Sequence, residues 1–155
     1  MKDMKDMNEK TSAVRYFSKT GNTKKLAIEI ANAAGCEAYT IEKPVKEKVD
    51  VLFLGASVYW GGIDSQVKDF IHTLDGSKIG KVAVFSTSAL AQRACPEIKK
   101  LLLSQGITTT EEDFYCRGQF KVMHRERPDA EDLKAAGKYA EVISKGPASE
   151  KKVAK

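Results

Sequence analysis

The sequence predicts an α/β fold in three layers, with a doubly wound parallel sheet of five strands in the order 2-1-3-4-5. Short β-rich apolar runs alternate with amphipathic helical patterns along the chain, as in proteins made of βαβ units. The run at residues 49–56 is apolar almost throughout, which is typical of a strand buried on both faces of a sheet, and the run K-V-A-V-F-S-T at 81–87 predicts another buried strand. The chain has 155 residues, which fits one domain, and right-handed crossovers place helices on both faces of the sheet.

The first half of the chain contains the patterns of three strands and one helix. A strand is predicted over residues 12–17 and a helix over 22–34, where apolar residues recur on one face before Gly35 provides a stop. The pattern at 37–41 has modest apolar content, so we expect a short strand at an edge of the sheet. The run V-D-V-L-F-L-G-A over 49–56 predicts a central strand.

The second half continues the alternation and ends in a helix. Its elements are a helix with an apolar face at Val67, Phe70, Ile71 and Leu74, a strand over 81–87, a helix over 96–105, a strand over 111–116, and a helix that begins after Pro128 and Asp129. The last helix presents Leu133, Ala136, Ala140 and Ile143 on one face. The sequence shows no internal repeat and no second domain.

The expected domain occupies residues 11–146, between a flexible, charged leader at 1–10 and a basic tail at 147–155. No run approaches the roughly 18 apolar residues of a membrane-spanning helix, and the leader lacks the apolar core of a signal peptide. We therefore expect a cytoplasmic protein without membrane insertion. The three cysteines are widely spaced without a C-x-x-C pair, which argues against a disulfide framework and against a metal site.

The chain is basic, with a net charge of +5, and residues 145–155 contribute four lysines and one glutamate to it. A short lysine-rich terminus is usually solvated, so nucleic-acid binding is not expected. A basic protein attracts acidic molecules. Any protein partner is therefore expected to dock through an acidic surface.

A polar stretch connects the first predicted strand to the first helix. It consists of Ser18, Lys19, Thr20, Gly21, Asn22 and Thr23. A loop at this place directs unpaired backbone N–H groups and the positive end of the helix dipole at one point, and Gly21 lets the backbone approach an anion closely. These residues predict a phosphate site. The alternative is a Ser/Thr-rich turn in which Thr20 or Asn22 caps the helix.

Further loops follow the later strands. The loop after residues 49–56 contains Ser57, Val58, Tyr59, Trp60, Gly61 and Gly62. Its aromatic rings provide a stacking surface for a flat ligand, or they pack over the edge of the sheet. The end of the strand at 81–87 offers hydroxyl groups at Thr87 and Ser88. Residues 115–127 mix basic and apolar side chains, and they form either a lid or a solvated connection.

The pattern S-x-T-G-x-T at residues 18–23, directly after the first strand, resembles the phosphate loop of the flavodoxin family, and the resemblance extends over residues 12–144. It implies flavin mononucleotide (FMN) bound without covalent attachment, with one or two electrons passing through the exposed edge of the flavin. By this resemblance residues 18–23 hold the phosphate and residues 57–62 shape the site of the flavin ring. Thr87 and Ser88 offer polar contacts there.

The resemblance favours an electron carrier that serves redox partner proteins. An alternative is an oxidoreductase acting on a quinone or porphyrinogen beside the flavin, because the run G-A-S-x-Y at 55–59 also resembles flavodoxin-like protoporphyrinogen oxidases. A flavin-free interaction module is a third hypothesis, but such a module has no evident need for the intact loop at 18–23. No catalytic residue is assigned, because the sequence does not place side chains within reach of each other.

Overall fold

The computed structural model describes residues 11–18, 21–57, 64–88, 94–117 and 128–145, and at residues 57, 88, 94–95, 115–117 and 145 it describes the backbone alone. Strands and helices alternate through these ranges, except that the second and third strands follow one another without a helix between them. The strands are β1 (Ser12–Tyr16), β2 (Ala38–Thr40), β3 (Val49–Ser57), β4 (Ile79–Ser88) and β5 (Phe114–Arg117). The helices are α1 (Asn22–Ala34), α2 (Ser65–Thr73), α3 (Ala94–Ser104) and α4 (Ala130–Lys145).

The strands form one parallel sheet in the order β2-β1-β3-β4-β5, which confirms the predicted fold class and strand order. β1 pairs with both β2 and β3, with Val14 opposite Ala38 on one side and Phe53 on the other. The strand order reverses at this point, since the chain runs from β1 outward to β2 and then crosses back to β3. β2 lies at an edge, as its modest apolar content predicted.

Two apolar layers cover the faces of the sheet. α1 and α4 pack on one face, where Leu26, Ile30 and Ile143 are buried together with Phe53 and Phe85 of the sheet. α2 and α3 pack on the other face. Their buried residues are Val67, Phe70, Ile71, Ile98 and Leu102. The helical faces predicted from apolar spacing are therefore the buried ones, although Leu74 and Leu133 are only partly buried.

Gly55 in β3 leaves room for the side chain of Phe85 on the neighbouring strand β4. The two residues pair in register, and a Cβ on Gly55 would overlap the Phe85 ring. Phe85 is completely buried. Its ring therefore occupies the space that a side chain on the neighbouring strand would otherwise fill.

The largest difference from the predicted boundaries is at β5. The strand was predicted to begin at residue 111, and it begins at Phe114. The chain first meets the sheet where Thr109 bridges to Val82 and the N–H of Thr110 donates to the carbonyl oxygen of Val82. The Thr110 hydroxyl then donates to the carbonyl oxygen of Glu112 at 2.6 Å. A local side-chain bond of this kind competes with the strand ladder, so the predicted strand was too long at its start.

The leader at 1–10 and the tail at 147–155 lie outside the described residues. Within the ranges that are described, no helix has both the length and the apolar content needed to cross a membrane.

Candidate functional site

The predicted phosphate loop leaves β1 at the carboxyl edge of the sheet, beside the point where the strand order reverses. The N–H of Phe17 donates to the carbonyl oxygen of Gly55 at 3.0 Å, so the chain stays against β3 up to the start of the loop. It enters α1 at Asn22. In doubly wound sheets, ligands bind in the crevice outside the carboxyl ends of the strands at this reversal. The topology therefore brings the start of α1 to the edge where a ligand is expected.

Gly21 is the residue from which α1 starts. Its backbone has φ +94° and ψ −5°, in the left-handed region that glycine adopts without strain. Its N–H donates to the Ser18 hydroxyl at 3.0 Å, and its carbonyl oxygen accepts from the N–H of Lys25 at 3.1 Å. No atom of the described residues lies within 4 Å of the position that a Cβ would take. Lys19 and Thr20 lie outside the described part of the chain.

The first turn of α1 is electropositive. Its cap residue is Gly21, which has no side chain to accept from the N–H groups of the turn, and Asn22 is already helical and is therefore not the cap. The turn contains no acidic residue, although acidic residues stabilise helix N-termini. It carries Lys24 and Lys25 instead, and both are exposed. The positive end of the helix dipole repels two lysines, and an anion bound nearby would offset that repulsion. This charge pattern therefore fits an anionic ligand.

Thr23 connects this turn to a strand that is distant in sequence. Its hydroxyl oxygen lies 2.9 Å from that of Thr87 near the end of β4, and the two hydroxyls share a hydrogen bond. Thr23 is 0% exposed and Thr87 is 1% exposed. In the sheet β3 lies between β1 and β4. The bond therefore links the first turn of α1, which follows β1, to a strand that is not adjacent to β1. Two side chains that are 64 positions apart in the sequence are thus in direct contact.

The strands that carry the other predicted site residues end side by side. Ser57 is the last residue of β3 and pairs in register with Thr87, and Ser88 ends β4. The backbone therefore brings these three positions to the same edge of the sheet as the start of α1. The predicted ring-site residues Val58, Tyr59, Trp60, Gly61 and Gly62 lie outside the described residues, as does the part of the 115–127 segment from residue 118 onward.

Sequence reasoning missed Arg15, a charged residue of β1 with only 6% of its surface exposed. Its guanidinium donates to the carbonyl oxygens of Val14 at 3.0 Å, Lys43 at 2.8 Å and Pro44 at 3.1 Å. Burial lowers the pKa of the Arg15 guanidinium. The signal in the sequence was a single charged residue inside a predicted strand. Such a residue indicates that hydrogen-bonding partners lie nearby, since a buried charge requires them.

Arg15 lines a cleft of about 600 Å³ beside the edge strand β2, together with Cys36, Tyr39 and Lys43. Neither Thr87 nor the described residues of the 18–23 stretch line this cleft, so it is separate from the edge that carries α1. Cys36 is a half-buried free thiol, and burial raises its pKa. The hydrogen bonds of Arg15 give this region a structural role, since they attach the segment around Pro44 to β1.

Solved structures share this architecture. A flavodoxin from the domain Archaea is 17% identical with a TM-score of 0.70, and the match covers 86% of this chain and 95% of that one. The two-electron reduced flavodoxin of Megasphaera elsdenii is 25% identical with a TM-score of 0.53, covering 82% and 98% of the two chains. Rubredoxin oxygen:oxidoreductase from Desulfovibrio gigas is 13% identical with a TM-score of 0.67, and the match covers 96% of this chain but 39% of that one.

A comparison with curated proteins finds no match. A family model described as the flavodoxin domain matches residues 13–125, which is most of the chain and includes most of β1, the start of α1 and the ends of β3 and β4. The sequence match and the shared sheet topology agree. This chain therefore belongs to the flavodoxin domain family.

Proposed function

We propose that this chain binds FMN without covalent attachment at the start of α1 and carries electrons between redox partner proteins. The observation that supports the proposal most strongly is the first turn of α1, where a glycine cap, exposed lysines and a buried threonine hydroxyl meet at the ligand edge of the sheet. The bound flavin would supply the redox chemistry, and the protein would supply binding and orientation.

The described residues fit a phosphate monoester. The first N–H groups of a helix have no partner within it, so the first turn of α1 has donors for an anion. No atom of the described residues fills the space where a Cβ on residue 21 would lie, which permits close approach of a ligand to the backbone. The buried Thr23 hydroxyl adds a short donor, and Lys24 and Lys25 add positive charge. By the same proposal residues 57–62, Thr87 and Ser88 surround the flavin.

The proposed partner presents an acidic docking surface, because the chain carries a net charge of +5 and exposes Lys24 and Lys25 at the edge where the flavin would lie. A cytoplasmic location is part of the same proposal. It agrees with the free thiol of Cys36, since thiols persist in reducing compartments.

Titration of the purified apoprotein with FMN, followed by quenching of flavin fluorescence, tests the proposal. We expect saturable binding by the wild type and a Kd at least about tenfold higher for Thr20→Ala/Thr23→Ala, because a hydrogen bond to a charged group is worth about 1.5–3 kcal/mol. Thr73→Ala is a suitable control, since the Thr73 hydroxyl bonds to the Phe70 carbonyl within α2 and should not affect binding. A wild type that fails to bind FMN would exclude both redox functions and leave the interaction module.

An oxidoreductase acting on a small molecule is the second candidate, and the positive charge of the chain favours it. Fewer negative charges oppose formation of a reduced flavin anion, so the bound flavin would be less strongly reducing than in an acidic carrier. The test is repeated reduction of a quinone by the FMN-loaded protein, with a reduced nicotinamide nucleotide added as the two-electron donor that re-reduces the flavin after each turnover. Turnover well above that of free FMN supports the enzyme, whereas turnover no faster than free FMN, with rapid reduction of a redox protein, supports the carrier.

A further inference from the structure

We propose that Thr87 is a positioning residue for the phosphate site: it holds the hydroxyl of Thr23 so that the Thr23 proton faces the phosphate of the flavin nucleotide. It would thus act on the phosphate through Thr23 and not on the flavin ring. This inference rests on the proposed function, and it gives Thr87 a role different from the polar ring contact that its place near the end of β4 indicates.

The side chain of Thr87 lies in the layer beneath α1. Side chains along a strand alternate between the two faces of a sheet, and Ala83 and Phe85 belong to the apolar layer that α1 and α4 cover. Thr87 continues that series, and it is 1% exposed. Its hydroxyl is therefore enclosed between β4 and the first turn of α1, where it meets the Thr23 hydroxyl.

The hydroxyl pair holds one proton more than its shared bond needs. Each threonine hydroxyl has a single proton and two acceptor lone pairs, and the bond of 2.9 Å uses one proton of the two. If Thr87 donates, the Thr23 proton is free for an acceptor at the start of α1. If Thr23 donates, the Thr87 proton is left in a buried place where the described residues supply no second partner. Leaving a buried donor unsatisfied is costly, so an anion at the start of α1 selects the arrangement in which Thr87 donates.

This arrangement strengthens the proposed contact in two ways. A hydroxyl that accepts a hydrogen bond is polarised and becomes a better donor, so the bond from Thr87 reinforces the bond from Thr23 to the phosphate. The bond from Thr87 also fixes the orientation of the Thr23 side chain before the ligand binds, which lowers the entropic cost of binding. Both effects act on the phosphate and leave the flavin ring untouched.

The test measures phosphate and ring contacts separately in Thr87→Val and Thr87→Ser. For Thr87→Val we expect the Kd for FMN to rise about three- to tenfold, the size of one net hydrogen bond, while the Kd for riboflavin is unchanged. The ³¹P resonance of bound FMN should shift, and the visible absorption spectrum of the bound flavin should stay the same. Thr87→Ser restores the hydroxyl and should return the Kd to within about twofold of the wild type.

Thr110→Val is the matched control. Thr110 is also buried, at 5% exposure, and its hydroxyl donates to the Glu112 carbonyl at 2.6 Å, within the chain segment that precedes β5. Removing this hydroxyl costs stability but should leave the Kd for FMN and the ³¹P resonance unchanged.

Three outcomes would overturn the inference. If Thr87→Val weakens FMN and riboflavin equally, or changes the flavin absorption spectrum, Thr87 acts on the ring. If the variant binds FMN with the wild-type Kd and an unchanged ³¹P resonance, the hydroxyl pair only stabilises the fold. If the wild type itself binds no FMN, the proposed function fails and this inference fails with it, a result that the wild-type titration alone distinguishes from the other two.

Discussion

At the scale of single residues, two positions require glycine for different reasons: Gly21 because of its backbone conformation, and Gly55 because a side chain there would overlap a neighbouring ring. Gly21 has φ +94° at the start of α1, where a side chain would be strained. Gly55 leaves the space that the Phe85 ring occupies. The first glycine belongs to the proposed binding edge and the second to the core next to it.

Gly55→Ala is expected to destabilise the protein by about 2 kcal/mol, because the added methyl overlaps a buried ring in a close-packed layer. Urea denaturation followed by circular dichroism measures the change in the free energy of unfolding. The matched control is Gly137→Ala in α4, where a Cβ would meet Glu29 Cγ at 3.8 Å and Ala33 Cβ at 4.0 Å, which are ordinary contacts. This control should gain about 1 kcal/mol from its higher helix propensity. Equal effects of the two substitutions would contradict the packing described for Phe85.

At the scale of elements, Arg15 attaches an irregular segment to the sheet. Residues 41–48 connect the edge strand β2 to β3, and within the segment the carbonyl oxygens of Lys43 and Pro44 accept from the Arg15 guanidinium. Ile41 and Val45 are partly buried against the apolar layer below. The segment is thus held by a buried charge on β1 and by two apolar side chains of its own.

Arg15→Met is expected to lower the free energy of unfolding by about 2 kcal/mol, because the carbonyl oxygens lose a charged donor. Tryptic cleavage after Lys46 and Lys48 should become faster, since the segment is released from β1. Lys43→Met is the control: its ammonium lies 4.3 Å from the Tyr39 ring on the exposed surface, a contact worth about 0.5 kcal/mol. Unchanged cleavage in Arg15→Met would show that Ile41 and Val45 hold the segment without the arginine.

At the scale of the whole molecule, positive charge should govern which partners approach the proposed flavin edge. The chain carries a net charge of +5, and α1 begins at the carboxyl edge of the sheet with Lys24 and Lys25 exposed. Charges of one sign around a reactive edge raise the encounter rate of molecules of the other sign, and salt removes the effect.

Electron transfer from the reduced, FMN-loaded protein should therefore depend on salt in opposite directions for oppositely charged acceptors. We expect the rate constant to fall several-fold for ferricyanide, an anion, and to rise for hexaamminecobalt(III), a cation, as the Debye length shrinks from about 30 Å at 0.01 M to about 3 Å at 1 M salt. Stopped-flow oxidation of the flavin measures both. Lys24→Gln/Lys25→Gln should reduce the salt effect more than Lys46→Gln/Lys48→Gln, a charge-matched control just before the amino end of β3. Equal effects of the two double variants would show that only net charge matters.

The sequence by itself determined the elements, their order and the edge of the sheet at which a ligand site is expected. Helical and strand periodicities are local properties, so the apolar faces of α2 and α4 and the buried strands β3 and β4 were predictable without a structure. The stop of α1 at Gly35, with φ +81°, also follows from one residue's backbone preference. Alternating strands and helices then imply the parallel sheet, and the sheet implies the ligand edge.

Only the tertiary structure decided how distant residues meet at that edge and beside it. The Thr23 and Thr87 hydroxyls are 64 positions apart, and their bond exists because α1 packs across β3 onto β4. Arg15 is tolerated in a buried strand because the segment at 43–44 folds back to present two carbonyl oxygens. The start of β5 was mispredicted because the Thr110 hydroxyl turns the chain locally. For the threonine pair and for Arg15, the deciding interaction joins groups whose separation depends on packing, and no local pattern in the sequence encodes such a distance.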